Sequence, residues 1–213
     1  GMMGATGVAL RVGDAILAMT QGHLIITLVV TMIIAMLLGM GMPTTASYVM
    51  ASAVAAPAMV LLGVRPLDAH LFVFFYAVLS SVTPPVCVGA YTAAGIAGAD
   101  PNKTAFAAVK LALSGFIVPF IFVLAPEILL TNVTSWFVTF QAMISAIVGV
   151  FLLASAAENY IMARLRWYER LLAFAGALGL LYPGTVTDLC GLAVLVVLYV
   201  VTKKRAKDLP DLA

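Results

Sequence analysis

Two stretches carry the residue types and spacing that could hold a small ligand: Gly39-Met40-Gly41-Met42-Pro43-Thr44-Thr45, with Ser47 just beyond, and Ser80-Ser81-Val82-Thr83-Pro84-Pro85. In the first, glycine leaves backbone carbonyls free to turn, and Thr44, Thr45 and Ser47 add hydroxyl oxygens at the start of the helix that follows. Hard cations prefer such oxygens. In the second, consecutive prolines remove two backbone donors, so carbonyls three and four residues upstream lose their helical partners. Half-helix N-termini also present a positive dipole end to an anion, so two complementary breaks can hold a carboxylate beside a cation. Proline kinks and Gly-x-Gly contacts that only shape a helix bundle are the competing explanation.

Other chemistry-bearing residues point nowhere in particular. His23 and His70 lie near expected helix starts, have no metal-ligand partner at spacing three or four, and read as satisfied interfacial histidines. Glu127, Glu158 and Asp188 fall at expected helix ends or loops and read as solvated. Met32, Met36, Met40 and Met42 recur at near-helical spacing, which packing explains. Cys87 and Cys190 sit inside apolar runs and read as small core residues, not as a disulfide or a CxxC metal site. HExxH, GxSxG and Walker patterns are absent. No enzyme, no cofactor and no nucleic-acid partner is expected.

The elements that must position the two breaks are set by the solvent. Of 213 residues, 64% are hydrophobic and 9% charged, where a soluble domain carries about 25% charged residues; the mean hydropathy is +1.15. Lipid is the expected solvent. No charged residue occurs between Asp14 and Arg65, a run long enough for two passes of about 20 residues each. The Gly39–Thr45 interruption divides it into helix-favouring halves, roughly 24–38 and 46–62, which predicts a helical hairpin across 24–62. GVRPLD is then a polar turn, and 69–99 is a second long run broken at Thr83-Pro84-Pro85. A helix over 105–124 follows. Spans over 136–157, 171–182 and 186–201 complete an all-α, polytopic membrane protein, its domains divided at 1–130 and 131–213. The opening GMMGATGVAL, with no initiator Met and no signal-peptide features, reads as part of something longer.

Basic residues set orientation, because cytoplasmic loops are enriched in Lys and Arg. With Lys103 and Lys110 inside, Glu127 lies outside, Arg164, Arg166 and Arg170 inside, Pro183-Gly184 outside, and Lys203 to Lys207 inside. Upstream, Arg65 to Asp68 and Arg11 to Asp14 fall outside. The inside arginines could also meet anionic lipid head groups.

GMGMPTTASYV, followed by SSVTPPVCVGAYTAAGIAGADP, resembles the large membrane subunit of TRAP (tripartite ATP-independent periplasmic) transporters, in particular the fused permeases of the TAXI class. The resemblance covers about 24–130, including AHLFVFFYAVLSS between the motifs and KTAFAAVKLALSGFIVPF after them. From 131 onward the chain looks like the C-terminal transmembrane extension of the fused permeases. Cys87 departs mildly from the family pattern, where a small or aliphatic residue is more usual.

The resemblance implies an elevator-type secondary transporter of the ion-transporter superfamily, of which this chain carries one inverted repeat, a hairpin plus a broken helix. It implies a multi-pass protein of the bacterial inner membrane that imports an organic acid with a coupling sodium ion. A periplasmic substrate-binding protein and the N-terminal half of the permease, missing before Gly1, would be its partners, besides membrane lipid. On this basis sodium is expected at Gly41, Met42, Thr44, Thr45, Val82 and Thr83. Substrate is expected against Thr44, Thr45, Ser47, Pro84 and Pro85. A non-transporting assembly or scaffold subunit is the alternative.

The expected topology is testable by one-sided labelling of single cysteines in right-side-out vesicles. Cysteines at Arg65 and Glu127 should react with an impermeant reagent from outside, and those at Lys103, Arg166 and Lys204 only from inside. Labelling of positions 65 and 103 from the same side breaks the argument, since an odd number of crossings must separate them.

Overall fold

The computed structural model of the protein describes residues 7–130, 135–181 and 184–208. Every regular element among them is helical, and the chain divides into two compact units, Gly1–Ala112 and Leu113–Ala213.

In the first unit α1 (Val8–Thr20), α2 (Leu24–Gly39), α3 (Thr44–Leu61), α4 (Pro66–Leu79), α5 (Val88–Ala97) and α6 (Pro101–Leu111) follow in order, with a 3-10 turn at Ser80–Val82. The hairpin is α2 and α3, as the glycines and Pro43 require. The helix α1 is an addition, and it takes up Arg11 and Asp14, which the charge pattern treats only as a flanking segment. Packing converges on α3, which contacts α1, α2 and α4. Its Ala51, Ala55 and Ala58 are completely buried, and small side chains of this kind let helices close on one another where lipid supplies no hydrophobic drive between them. From α4, Phe72, Val73 and Tyr76 fill the space that remains. The methionines Met32, Met36, Met40 and Met42 are half-buried packing residues.

Polar ends are tied locally. Thr27 donates to the Thr20 hydroxyl across the α1–α2 turn at 2.8 Å. The GVRPLD turn is shorter than expected because Pro66, whose fixed φ suits a first helical position, starts α4 inside it. Asp68 is thereby buried in the first turn, gripped by Arg65 through Nε at 2.7 Å and Nη2 at 3.1 Å. His70 shares a hydrogen bond with the Tyr48 hydroxyl at 3.0 Å, the satisfied histidine the sequence suggests. Asp100 caps α6, accepting from the Lys103 N–H at 2.8 Å.

The single helix expected over 105–124 is not continuous: α6 stops at Leu111, a 3-10 turn covers Leu113–Phe116, and α7 spans Val118–Leu124. Ser114 and Gly115 are weak helix formers, and Pro119 cannot donate to the Gly115 carbonyl.

In the second unit a 3-10 turn at Pro126–Leu129 follows α7, and three longer helices follow it: α8 (Trp136–Glu158), α9 (Trp167–Leu181) and α10 (Thr185–Asp208). Leu152, Leu153 and Ala156 of α8 meet Ala173, Ala177 and Leu180 of α9 and Leu198 of α10 in one core. The opposite face of α8, with Trp136, Phe137, Phe140, Ile147 and Phe151, is exposed, as a face turned to lipid would be. By length and composition α3 and α8 can cross a membrane, α8 at about 35 Å exceeding the hydrocarbon thickness. α10 outruns its apolar segment, its last turns being the Lys-Lys-Arg-Ala-Lys stretch that complements a helix C-terminus.

Two expectations for α10 need correction. Asp188 is not in a solvated loop: it lies in the first turn of α10 and is buried, accepting from Gln141 Nε2 at 2.8 Å and Ser145 Oγ at 2.6 Å. The helix begins at Thr185, one residue before the expected 186, and its first turn sets Asp188 against α8. Cys190, two residues on, is exposed and not in the core; Cys87 is buried as expected.

At the other end of the bundle Arg166 precedes α9 and Glu169 reaches back to accept its N–H at 2.7 Å, a capping-box contact. Glu169 is also paired with Arg205 of α10, whose Nη1 lies 3.2 Å from Oε2 and 3.0 Å from the Arg164 carbonyl. The Arg205 hydrogen bonds hold the Glu169 carboxyl below the usual carboxylate range, against burial, which acts to raise it; the Arg166 N–H adds to the lowering. A depressed carboxylate stabilises above its unfolded value and loses that stability as pH falls through the folded one. Thermal unfolding should therefore become easier as pH drops below about 4. Arg205→Met should cost about 2 kcal/mol at neutral pH, the range for a lost hydrogen bond to a charged group, and flatten that acid limb. An unchanged acid limb in the variant would refute the pairing.

Candidate functional site

The hairpin tip is built by residues that cannot continue a helix. α2 ends at Gly39, Met40 is extended, and Gly41 takes φ +73°, a conformation that an L side chain would strain. Pro43, extended at φ −58° and ψ 146°, then opens α3 at Thr44 with no side-chain cap. One buried hydroxyl stitches this loop together: Ser47 Oγ lies 3.0 Å from the Gly39 carbonyl and 3.3 Å from that of Met42. It has a single hydrogen to give.

The second break solves the same problem with more hydroxyls. Before Pro84 and Pro85, Ser80 donates to the Ala77 carbonyl at 2.7 Å, Ser81 to Val78 at 2.8 Å and Thr83 to Leu79 at 2.8 Å. Each returns to a carbonyl three or four residues back, where the helix narrows to a 3-10 turn and stops. The Tyr91 hydroxyl reaches back from α5 to donate to the Pro85 carbonyl at 3.1 Å, and the N-terminus of α5, at Cys87, has no side-chain cap.

The two breaks lie against each other. A Cβ added at Gly39 would stand 2.5 Å from Ser80 Oγ and 3.3 Å from the Ala77 carbonyl oxygen, and one at Gly41 would stand 3.3 Å from Val86 Cγ1. The absence of side chains at these glycines is what lets the hairpin tip sit on the interruption of the next helix.

Of the residues expected at a site, Gly41 packs on Val86 just past the second break, and Met42, Val82, Thr83 and Pro84 are half-buried. Thr44, Thr45 and Pro85 are exposed, the threonines on the first turn of α3, which has no side-chain cap. Ser47 is buried and spends its hydrogen on the tip's own carbonyls. Gly39 and Ser80, which make the contact between the breaks, lie in the two stretches but outside the expected ligand set, and Val86 lies just past the second. Their signal is steric: a glycine ending one helix and a serine ending another.

The chain is helical, of lipid-compatible composition, and packs two helix interruptions on each other. The family model described as Tripartite ATP-independent periplasmic transporter, DctM component, matches residues 1–137, and the chain belongs to that family of transporter permeases. The match takes in both breaks. No curated protein and no solved structure matches the chain.

The tip contact predicts a paired result. Gly39→Ala should lower the thermal stability of the permease, by the 1 to 3 kcal/mol (about) typical of overpacking. Ser80→Gly in the same chain should restore most of it, since it removes the atom the new methyl meets. Equal effects of Gly39→Ala in both backgrounds would show that the two breaks do not touch.

Proposed function

We propose that the chain is the hairpin-and-break repeat of a sodium-coupled, elevator-type TRAP permease of the TAXI class, importing an organic acid delivered by a periplasmic binding protein. The observation that carries this reading is the seating of the Gly39–Thr45 tip on the Ser80–Pro85 break, which collects two helix interruptions and two uncapped helix N-termini in one unit.

The chemistry follows from what each part offers. Carbonyls at Gly41, Met42 and Val82, with the Thr45 and Thr83 oxygens, supply a hard, uncharged ligand set suited to a monovalent cation. Thr83 gives its hydrogen to Leu79, so its lone pairs remain for an ion. The first turn of α3, at Thr44 and Thr45, offers N–H groups and a dipole end to a carboxylate. Pro84 and Pro85 would border the substrate without competing for its hydrogen bonds, and Ser47 would act on the tip's shape. A second hairpin and broken helix from the permease's other repeat would complete the transport domain, in the bacterial inner membrane.

The reading is tested in proteoliposomes holding the complete permease under an inward sodium gradient. Uptake of the acid should require the binding protein, and Thr45→Ala and Thr83→Ala should each raise the half-saturating sodium concentration roughly tenfold or more, as expected if a lost oxygen costs about 1 to 3 kcal/mol. Unchanged sodium dependence in both variants would remove these loops from the ion site. Equal uptake with and without the binding protein would leave a secondary transporter but not a tripartite one, and no uptake at all would favour a scaffold subunit whose breaks only pack.

A further inference from the structure

We propose that the cavity between the end of α8 and the start of α9, in the second unit, is a binding site for one anionic phospholipid, with its phosphate on Arg170 and an acyl chain along α9. Nothing in the transport reading of the first unit uses this cavity.

The cavity measures about 560 Å³, a volume of the ligand-pocket class. Its polar lining is Asn159, Trp167 and Arg170, and its apolar lining includes Leu113, Leu171 and Phe174. Order along α9 separates the two kinds. Trp167 opens the helix, Arg170 lies one turn in, and Phe174 lies about 10 Å further along the axis than Trp167. Trp167 and Tyr168 are exposed, as is Tyr160 in the turn before them, and aromatic rings of this kind gather at the boundary between water and hydrocarbon. The lining thus runs from an interfacial, polar end to an apolar one. A soluble anion would use only the first part; a phospholipid uses both.

The guanidinium is what points to a phosphate. Arg170 Nε donates to the Ala156 carbonyl, in the last turn of α8, at 2.7 Å, which fixes the group at the cavity wall. The donors on its Nη1 and Nη2 remain, and none of them is given to a described residue. Nor does a carboxylate among the described residues pair with Arg170: Glu169, its neighbour in the chain, is engaged by Arg205 and by the Arg166 N–H. A planar fork held in place without an anion matches the paired oxygens of a phosphate diester.

The other basic residues at this end play a different part. Arg164 and Arg166 do not line the cavity, and Arg166 Nη1 is tied to the Tyr168 hydroxyl at 2.9 Å. With the exposed Lys203 and Lys204, they raise the positive potential that draws anionic lipid to this end. An orientation signal needs only charge near a helix end. It does not need an arginine pinned by a helix carbonyl against an amphipathic cavity, which is how the structure singles out Arg170 from the three arginines before and within α9.

Native mass spectrometry of the complete permease, titrated in detergent with phosphatidylglycerol or with phosphatidylcholine of the same chains, tests this. The wild type should hold one phosphatidylglycerol for which the affinity falls about tenfold or more in Arg170→Gln, the scale of a lost hydrogen bond to a charged group. Arg164→Gln, with the same change of charge, should keep it, and inorganic phosphate in excess should not displace it. Because Arg170→Gln also uncaps Ala156, Leu171→Glu is the second variant: the position is exposed, and a carboxylate there repels the phosphate without disturbing the core. Equal losses in Arg164→Gln and Arg170→Gln would overturn the proposal in favour of diffuse charge. Undiminished binding in Leu171→Glu, phosphatidylcholine held as tightly as phosphatidylglycerol at the affected site, or displacement by phosphate alone would overturn it as well.

Discussion

A backbone polar group in lipid has no water to turn to, so every interruption of a helix must be repaired from within the protein. That constraint organises this molecule. At the hairpin tip the repair is one buried serine, Ser47, shared between two carbonyls. At the second break it is a ladder of three hydroxyls, Ser80, Ser81 and Thr83, each closing on the turn behind it. In the C-terminal bundle the Ala156 carbonyl near the end of α8 is capped by Arg170 Nε at 2.7 Å, and the Leu180 carbonyl by Ser145. Several polar side chains of this apolar chain thus serve carbonyls where helices end.

Close approach is the second consequence of the same solvent. Helices that gain nothing hydrophobic from meeting one another must fit. Ala51, Ala55 and Ala58 do this for α3, while Gly176 and Gly191 do it where α10 lies against α9, facing Val194 and Leu180. Many other large apolar side chains face outward, Phe140 and Ile147 among them.

Much of this was legible in the residues. Glycine and proline punctuate strongly enough that the hairpin, its tip and the second break fall where Gly39, Gly41, Pro43, Pro84 and Pro85 put them. Hydropathy, however, reports runs and not faces. It shows Asp188 ending an apolar gap but cannot show that the first turn of α10 sets that carboxyl against Gln141 and Ser145. It also sees 105–124 as one helix, because Ser114, Gly115 and Pro119 barely change the average while each weakens the same few hydrogen bonds. The meeting of Gly39 with Ser80 lies beyond any local pattern, being a contact between positions far apart in the chain. The roles of Thr45 and Thr83 toward an ion rest on family likeness and on the oxygens they leave open.

The fit of Gly39 on Ser80 and of Gly41 on Val86 bears on how such a unit could move. Two surfaces matched at the level of a missing methyl group cannot slide past each other in small steps, because any displacement along the helix axis brings a side chain into the space a glycine leaves. On the transport reading proposed above, a site held between tip and break would be carried with both of them together.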